Sequence, residues 1–245
     1  MAAGEQIRSH GHDDAQARPA PAHPGSPAVR KAWTTTLARL LPAAPARVLS
    51  VGVGDGFLPL VLARSGYRVT VLDAAQDSLA FLSEEAWRLE LQVGVVYGDV
   101  ADPPADGFDV VAVRHVLFGL PDPGAALSAW LGAAPAGRLV LLEDLWTGPG
   151  HPVEAARAVR REQLRRMREA SPDHQGPETS DPPAVRATPE RLAAMVTAAG
   201  WGSMQVHRLT DVEWARTQEL PALERLYGVS PCFGIVADAP NGIDS

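Results

Sequence analysis

Apolar positions along this chain alternate between two spacings. Short, nearly continuous runs of β-branched and aliphatic residues at 48–51, 67–73, 93–97, 108–113 and 138–142 have the pattern of strands buried on both faces. Between them the apolar residues fall at helical intervals. Trp33, Leu37, Leu40 and Leu41 mark a helix over 29–41 that Pro42 ends, and a second, very apolar one covers 57–63. A third opens at Gln76 or Asp77 and carries Leu79, Leu82, Ala86 and Leu89; a fourth runs through Trp130 and Leu131. Strands that alternate with helices predict an α/β fold with a mostly parallel sheet, because parallel neighbours need a crossover of helical length. Farther on, Thr188-Pro189-Glu190 supplies a capping hydroxyl, a first-turn proline and an early acid to a helix over 192–199 that Gly200 stops. A strand at 204–209, helical segments over 211–226 broken at Pro221, and a last strand at 232–237 complete the prediction.

Composition narrows the class. With 245 residues and 46% hydrophobic content the chain can bury one full core. Residues 1–28 hold hardly any large apolar side chain and are expected to form a disordered tail, leaving a domain over 29–245. His10, His12, Asp13 and Asp14 lie in that tail, where no fold fixes ligand geometry, so no metal is expected. No apolar run approaches the roughly 18–20 residues of a membrane span, and the first 30 residues lack a signal peptide's apolar centre. A net charge of −7 speaks against nucleic acid as partner. The single cysteine, Cys232, fits a cytoplasmic protein; with no basic or histidine neighbour in sequence it is expected to be a buried structural thiol. The expectation is a small-molecule enzyme, monomer or homodimer.

Candidate chemistry gathers where strands end. The first strand breaks into Gly52-Val53-Gly54-Asp55-Gly56 and then a helix, a turn in which glycines permit positive φ and aim free helix N–H groups at a ligand. Asp73 closes the second strand 21 residues beyond Gly52, the interval at which a carboxylate meets the two ribose hydroxyls of a nucleotide. Gly98-Asp99-Val100 follows the third strand, with an acid suited to an adenine amino group and a backbone N–H for its ring. Arg114 and His115 follow the fourth strand, at the sheet edge where α/β proteins bind ligands.

As a set these segments resemble the class I S-adenosylmethionine-dependent methyltransferases, of the bacterial small-molecule type. The resemblance rests on 48–56, 69–73, Gly98-Asp99-Val100, 108–115 with Leu120-Pro121-Asp122-Pro123, and the turn and strand 135–142; it covers residues 30–145. It implies a Rossmann-like sheet of seven strands whose last strand is antiparallel and inserted between the fifth and sixth. It further implies S-adenosyl-L-methionine as cofactor, with Val51, Gly52, Gly54, Asp55 and Gly56 beside its methionine part. Asp73 and Ala74 would meet the ribose, Gly98, Asp99 and Val100 the adenine, and Arg114, through its backbone, the methionine end. Two positions depart from the family's pattern. Ser50 stands where an acid is frequent, and Asp55 stands where a small hydroxylated residue is common.

A methyl group would pass to an oxygen or nitrogen, less readily a carbon, of a small molecule. His115 is the candidate general base, since a neutral imidazole, with an ordinary pKa near ~6.5, accepts a proton at pH 7; a histidine bonded into the sheet edge is the alternative. Trp33, Tyr97, Trp146 and His151 are candidate pocket walls. Residues 148–187 exceed a plain methyltransferase core. They include an arginine-rich helix over 152–170 and are expected to cover the substrate pocket, their arginines either recognising an anionic group or facing solvent. Two rival functions share the fold: a cyclisation or decarboxylation that keeps the cofactor, and a binding role without catalysis.

Overall fold

A computed structural model of the chain describes residues 26–105, 107–144, 188–226 and 228–240. The expected tail up to residue 25 and the expected cover over 148–187, with Trp146 and His151, lie outside the described residues. Helix α1 (Pro27–Leu40) begins two residues earlier than its apolar spacing predicted, so Pro27 and Ala28 belong to the helix and not to the tail. The reason is a cap: Ser26 Oγ accepts from the N–H of Val29, and Pro27 occupies the first turn, where a missing N–H costs nothing.

From there the predicted alternation holds. The chain runs β1 (Arg47–Val51), α2 (Phe57–Arg64), β2 (Arg68–Asp73), α3 (Gln76–Arg88), β3 (Val93–Tyr97), β4 (Val110–Arg114), α4 (Pro123–Ala133) and β5 (Arg138–Asp144). After the undescribed stretch come α5 (Pro189–Ala198), β6 (Met204–Arg208), α6 (Thr210–Gln218), α7 (Ala222–Arg225) and β7 (Cys232–Asp238). The strands form one sheet in the order β3-β2-β1-β4-β5-β7-β6. Its first five members are parallel, and β7 enters antiparallel between β5 and β6, the Rossmann-like arrangement that the resemblance implied.

The apolar alternation of the central strands divides the core in two. Val48, Val110, Ala112 and Val140 face α1, α2, α3 and α6, whereas Leu49, Val111, Val113, Leu139 and Leu141 face α4 and α5. All nine are essentially inaccessible to solvent. Two buried tryptophans on the second face are each anchored through the indole N–H. Trp130 donates to Val100 O at 2.8 Å and Trp201 to Leu127 O at 3.0 Å, so neither polar atom is buried unpaired. No described helix is long and apolar enough to cross a membrane.

Candidate active site at the carboxyl ends of the central strands

At the end of β1 the backbone leaves the sheet through Gly52 (φ 80°) and Gly54 (φ 54°) and enters α2 at Gly56 (φ 74°). At Gly52 a side chain is excluded twice over, by the left-handed backbone and by Val116, whose Cγ2 would lie 2.7 Å from an added Cβ. At Gly54 an added Cβ would meet nothing within 4 Å and would project into open space. The loop is therefore a cradle whose backbone is open at Gly54.

Asp73 fixes that cradle. Its Oδ2 accepts from Val53 N at 2.6 Å and its Oδ1 from Ala75 N at 2.7 Å, which ties the Gly-rich loop of β1 to the end of β2. Each carboxylate oxygen keeps a second lone pair for a ligand. Ala74 is exposed beside it. Gly98 N–H reaches back to Asp73 O at 3.1 Å, so the end of β3 is drawn to the same rim. Asp99 Oδ1 accepts from Ala101 N at 2.9 Å, and the residue is exposed at the strand ends.

Arg114 does more than its backbone. Its guanidinium lies 5.6 Å from the centroids of both Trp33 and Phe57, two rings that meet edge to face at 5.9 Å. Its Nη1 reaches Asp55 Oδ1 at 3.3 Å. Trp33 is thus buried packing that also supports a charged group at the loop.

His115 follows directly and has φ 57°, a left-handed conformation uncommon outside glycine and costing of order 1–2 kcal/mol. The parallel pairing of Arg114 with Leu142 carries the next position of β4 to the flank of Glu143 on β5. There His115 Nδ1 stands 3.1 Å from Glu143 Oε2. Glu143 is almost fully buried, and its Oε1 has no hydrogen-bond partner. Glu143 directly follows the run 138–142 that predicted the fifth strand, and the sequence gives it no role. Only the register of β4 with β5 puts residues 115 and 143 side by side.

The adjoining Asp144 pairs in register with Cys232 of β7. It accepts from the Cys232 thiol, and Arg216 of α6 donates to both Asp144 (3.1 Å) and Cys232 (2.9 Å). Burial would push the Asp144 carboxyl up, but the charges of Arg216 and His115 and the bonds from Arg216 and Cys232 bring it below the ordinary carboxylate value. Burial, reinforced by Asp144, pushes the Cys232 thiol up to about 12. Cys232 is buried, as expected, yet it does have a basic partner: Arg216 is distant in sequence and adjacent in space. Tyr97, expected as a pocket wall, is instead 67% exposed on the edge strand β3. Nothing among the described residues groups three or more His, Cys, Asp or Glu into a metal site. A groove of about 830 Å³ lies at the opposite, amino-terminal edge of β1–β3 beside Arg47, Arg68 and Trp87, away from these residues.

Comparison with known proteins shows the family and the fold. Residues 28–200 match a family profile described as a methyltransferase domain. Two similar curated proteins are the ubiquinone biosynthesis O-methyltransferases of Xylella fastidiosa and Xanthomonas axonopodis pv. citri. The first is 32% identical over 108 residues and the second 38% over 110. Each alignment takes in 42% of this chain, and the chain spans less than half of either relative, 44% and 45%. A crystal structure of a SAM-dependent methyltransferase from Aquifex aeolicus superposes with a TM-score of 0.55 at 18% identity, covering 84% of this chain and 88% of that one.

Proposed function

Because this chain belongs to the methyltransferase-domain family, we propose that it is an S-adenosylmethionine-dependent methyltransferase that methylates a hydroxyl oxygen of a small molecule. The observation that carries the acceptor chemistry is the His115–Glu143 contact at 3.1 Å, set at the strand ends beside the open glycine cradle. The residues present fit the cofactor. Gly54 leaves room against the backbone, and both carboxylate oxygens of Asp73 are held in place by backbone N–H groups.

In this reading Gly52, Gly54, Asp55, Gly56 and Arg114 surround the methionine end, with Val51 as the last strand residue beneath it. Asp73 and Ala74 border the ribose, and Gly98, Asp99 and Val100 border the adenine. When bound, S-adenosylmethionine supplies a methyl group made electrophilic by a sulfonium. The chain's own part is alignment and proton removal. An ionised Glu143 accepts from Nδ1–H of His115, which selects the tautomer whose Nε2 carries a lone pair. Asp144 Oδ2 is 4.0 Å from Nε2, beyond hydrogen-bond reach, so that lone pair stays available to an acceptor hydroxyl. As the proton arrives, Glu143 faces the new imidazolium charge, the role of the buried acid in a nucleophile–base–acid triad.

An oxygen acceptor is favoured because a hydroxyl must lose its proton, which gives His115 a task. The O-methyltransferase names of the curated relatives point the same way. The test incubates the protein with S-adenosylmethionine and a panel of phenols, aliphatic alcohols, amines and thiols, scoring S-adenosylhomocysteine and methylated product by mass spectrometry. Product from phenols or alcohols that depends on His115 supports the proposal. Product from amines alone, or turnover undiminished in His115→Ala, refutes the oxygen assignment or the base.

A further inference from the structure

The glycine cradle carries a charge pair for which proton transfer has no use. Asp55 Oδ1 and Oδ2 lie 3.3 and 3.4 Å from Arg114 Nη1, with the Asp55 side chain 52% and the Arg114 side chain 22% exposed. An ion pair this open to water contributes only about 0–1 kcal/mol to folding. Yet the arginine is tightly held. Trp33 of α1 and Phe57 of α2 both stack on its guanidinium, and its Nε is buried without a hydrogen-bond partner. On β1, Ser50, whose register partner on β4 is Ala112, is neutral, fully buried and likewise unpartnered at Oγ. The negative charge facing Arg114 is therefore carried by the loop and not by the strand. Asp55 is itself oriented, since its Oδ1 also accepts from Phe57 N at 3.1 Å.

Opposite charges fixed a few ångströms apart at the rim of an open backbone cradle complement a ligand end that carries a carboxylate and an ammonium on one carbon. On the reading that this site takes S-adenosylmethionine, we propose that Asp55 and Arg114 together grip its amino-acid end. Arg114 donates to the carboxylate and Asp55 accepts from the ammonium. The rings hold the guanidinium ready, which spares the entropy of ordering a long side chain on binding. Because each charge meets its opposite, the four groups stay neutral in sum as water leaves them.

The experiment is titration calorimetry of the full chain with three ligands that share adenine, ribose and sulfur. S-adenosylhomocysteine carries both charged groups, decarboxylated S-adenosylmethionine keeps only the amino group of that end, and 5′-methylthioadenosine has neither. Arg114→Gln is expected to weaken S-adenosylhomocysteine about 10- to 100-fold while leaving the other two within about twofold. Asp55→Asn is expected to weaken both amine-bearing ligands and spare 5′-methylthioadenosine. The spared ligand reports that each variant folds, and the exposed Asp55 tolerates amidation even if Arg114→Gln does not fold. Equal losses for S-adenosylhomocysteine and 5′-methylthioadenosine in Asp55→Asn, or no loss in either variant, overturn the proposal and leave the cofactor reading standing. A wild-type protein that binds none of the three overturns the cofactor reading and this proposal with it.

Discussion

Replacing Glu143 by glutamine tests the base and its support together. The side chain keeps its size and an oxygen to place 3.1 Å from His115 Nδ1, but loses its charge. Glu143 is 7% exposed, so solvent does little to mask that loss. A hydrogen bond to a charged group contributes about 1.5–3 kcal/mol and a neutral one about 0.5–1.5 kcal/mol. The difference falls on the state in which His115 has taken the proton, raising the barrier by about 1–2 kcal/mol and lowering kcat by roughly 5- to 30-fold. Initial rates of S-adenosylhomocysteine release, with an acceptor from the panel above, measure this. The loss is expected in kcat, with the Kd for S-adenosylhomocysteine unchanged because Glu143 is not among the residues proposed to border the cofactor. His115→Ala should cost more, about 10²- to 10⁴-fold. Adding Glu143→Gln to it should cost nothing further, since groups acting as one unit are not additive. An unchanged kcat in Glu143→Gln, or losses that multiply in the double variant, would refute the coupling.

Four other outcomes follow from the same geometry. Gly52→Ala should lower stability by about 1–3 kcal/mol in urea unfolding, because it meets both a φ of 80° and Val116 at 2.7 Å. Gly54→Ala, with nothing within 4 Å, should show the smaller backbone cost of about 1–2 kcal/mol but a marked loss of S-adenosylhomocysteine affinity by calorimetry; equal affinities would mean that the cradle is not the binding surface. With its thiol pushed up to about 12, Cys232 should resist iodoacetamide at pH 8 in the native protein and react promptly in denaturant; rapid native labelling would contradict its burial beside Asp144. The Asp144 carboxyl is depressed on folding, so its stabilisation is present above the ordinary carboxylate pKa and is lost as pH falls through the lower, folded value. Acid unfolding should therefore be less steep with pH in Asp144→Asn than in the wild type, and identical slopes would remove Asp144 as a contributor.

The order of strands and helices, the loop at 52–56 and the strand-end acids Asp73 and Asp99 were legible in the sequence because each depends on residues close together in the chain. Alternating runs mark strands, and glycines mark where the backbone must turn left-handed. The departures at this level are at element ends: the Ser26 cap starts α1 two residues earlier, β4 begins at Val110 and takes in Arg114, and β5 runs on to Asp144. What the sequence did not determine is which side chains face one another across the sheet. Glu143 meets His115 only because β5 lies beside β4 in one register. Cys232 meets Arg216 because β7 inserts antiparallel next to β5 and α6 packs over its end. Arg114 had been assigned a backbone role; its stack between Trp33 and Phe57 exists because α1 and α2 share one face of the sheet. Local propensity and hydrophobic period are properties of a few neighbouring residues, whereas register and the choice of sheet face are set by how whole elements pack. The chain alone thus specified the cradle and its acids, and the packed sheet supplied the partners that give His115 and Arg114 their proposed work.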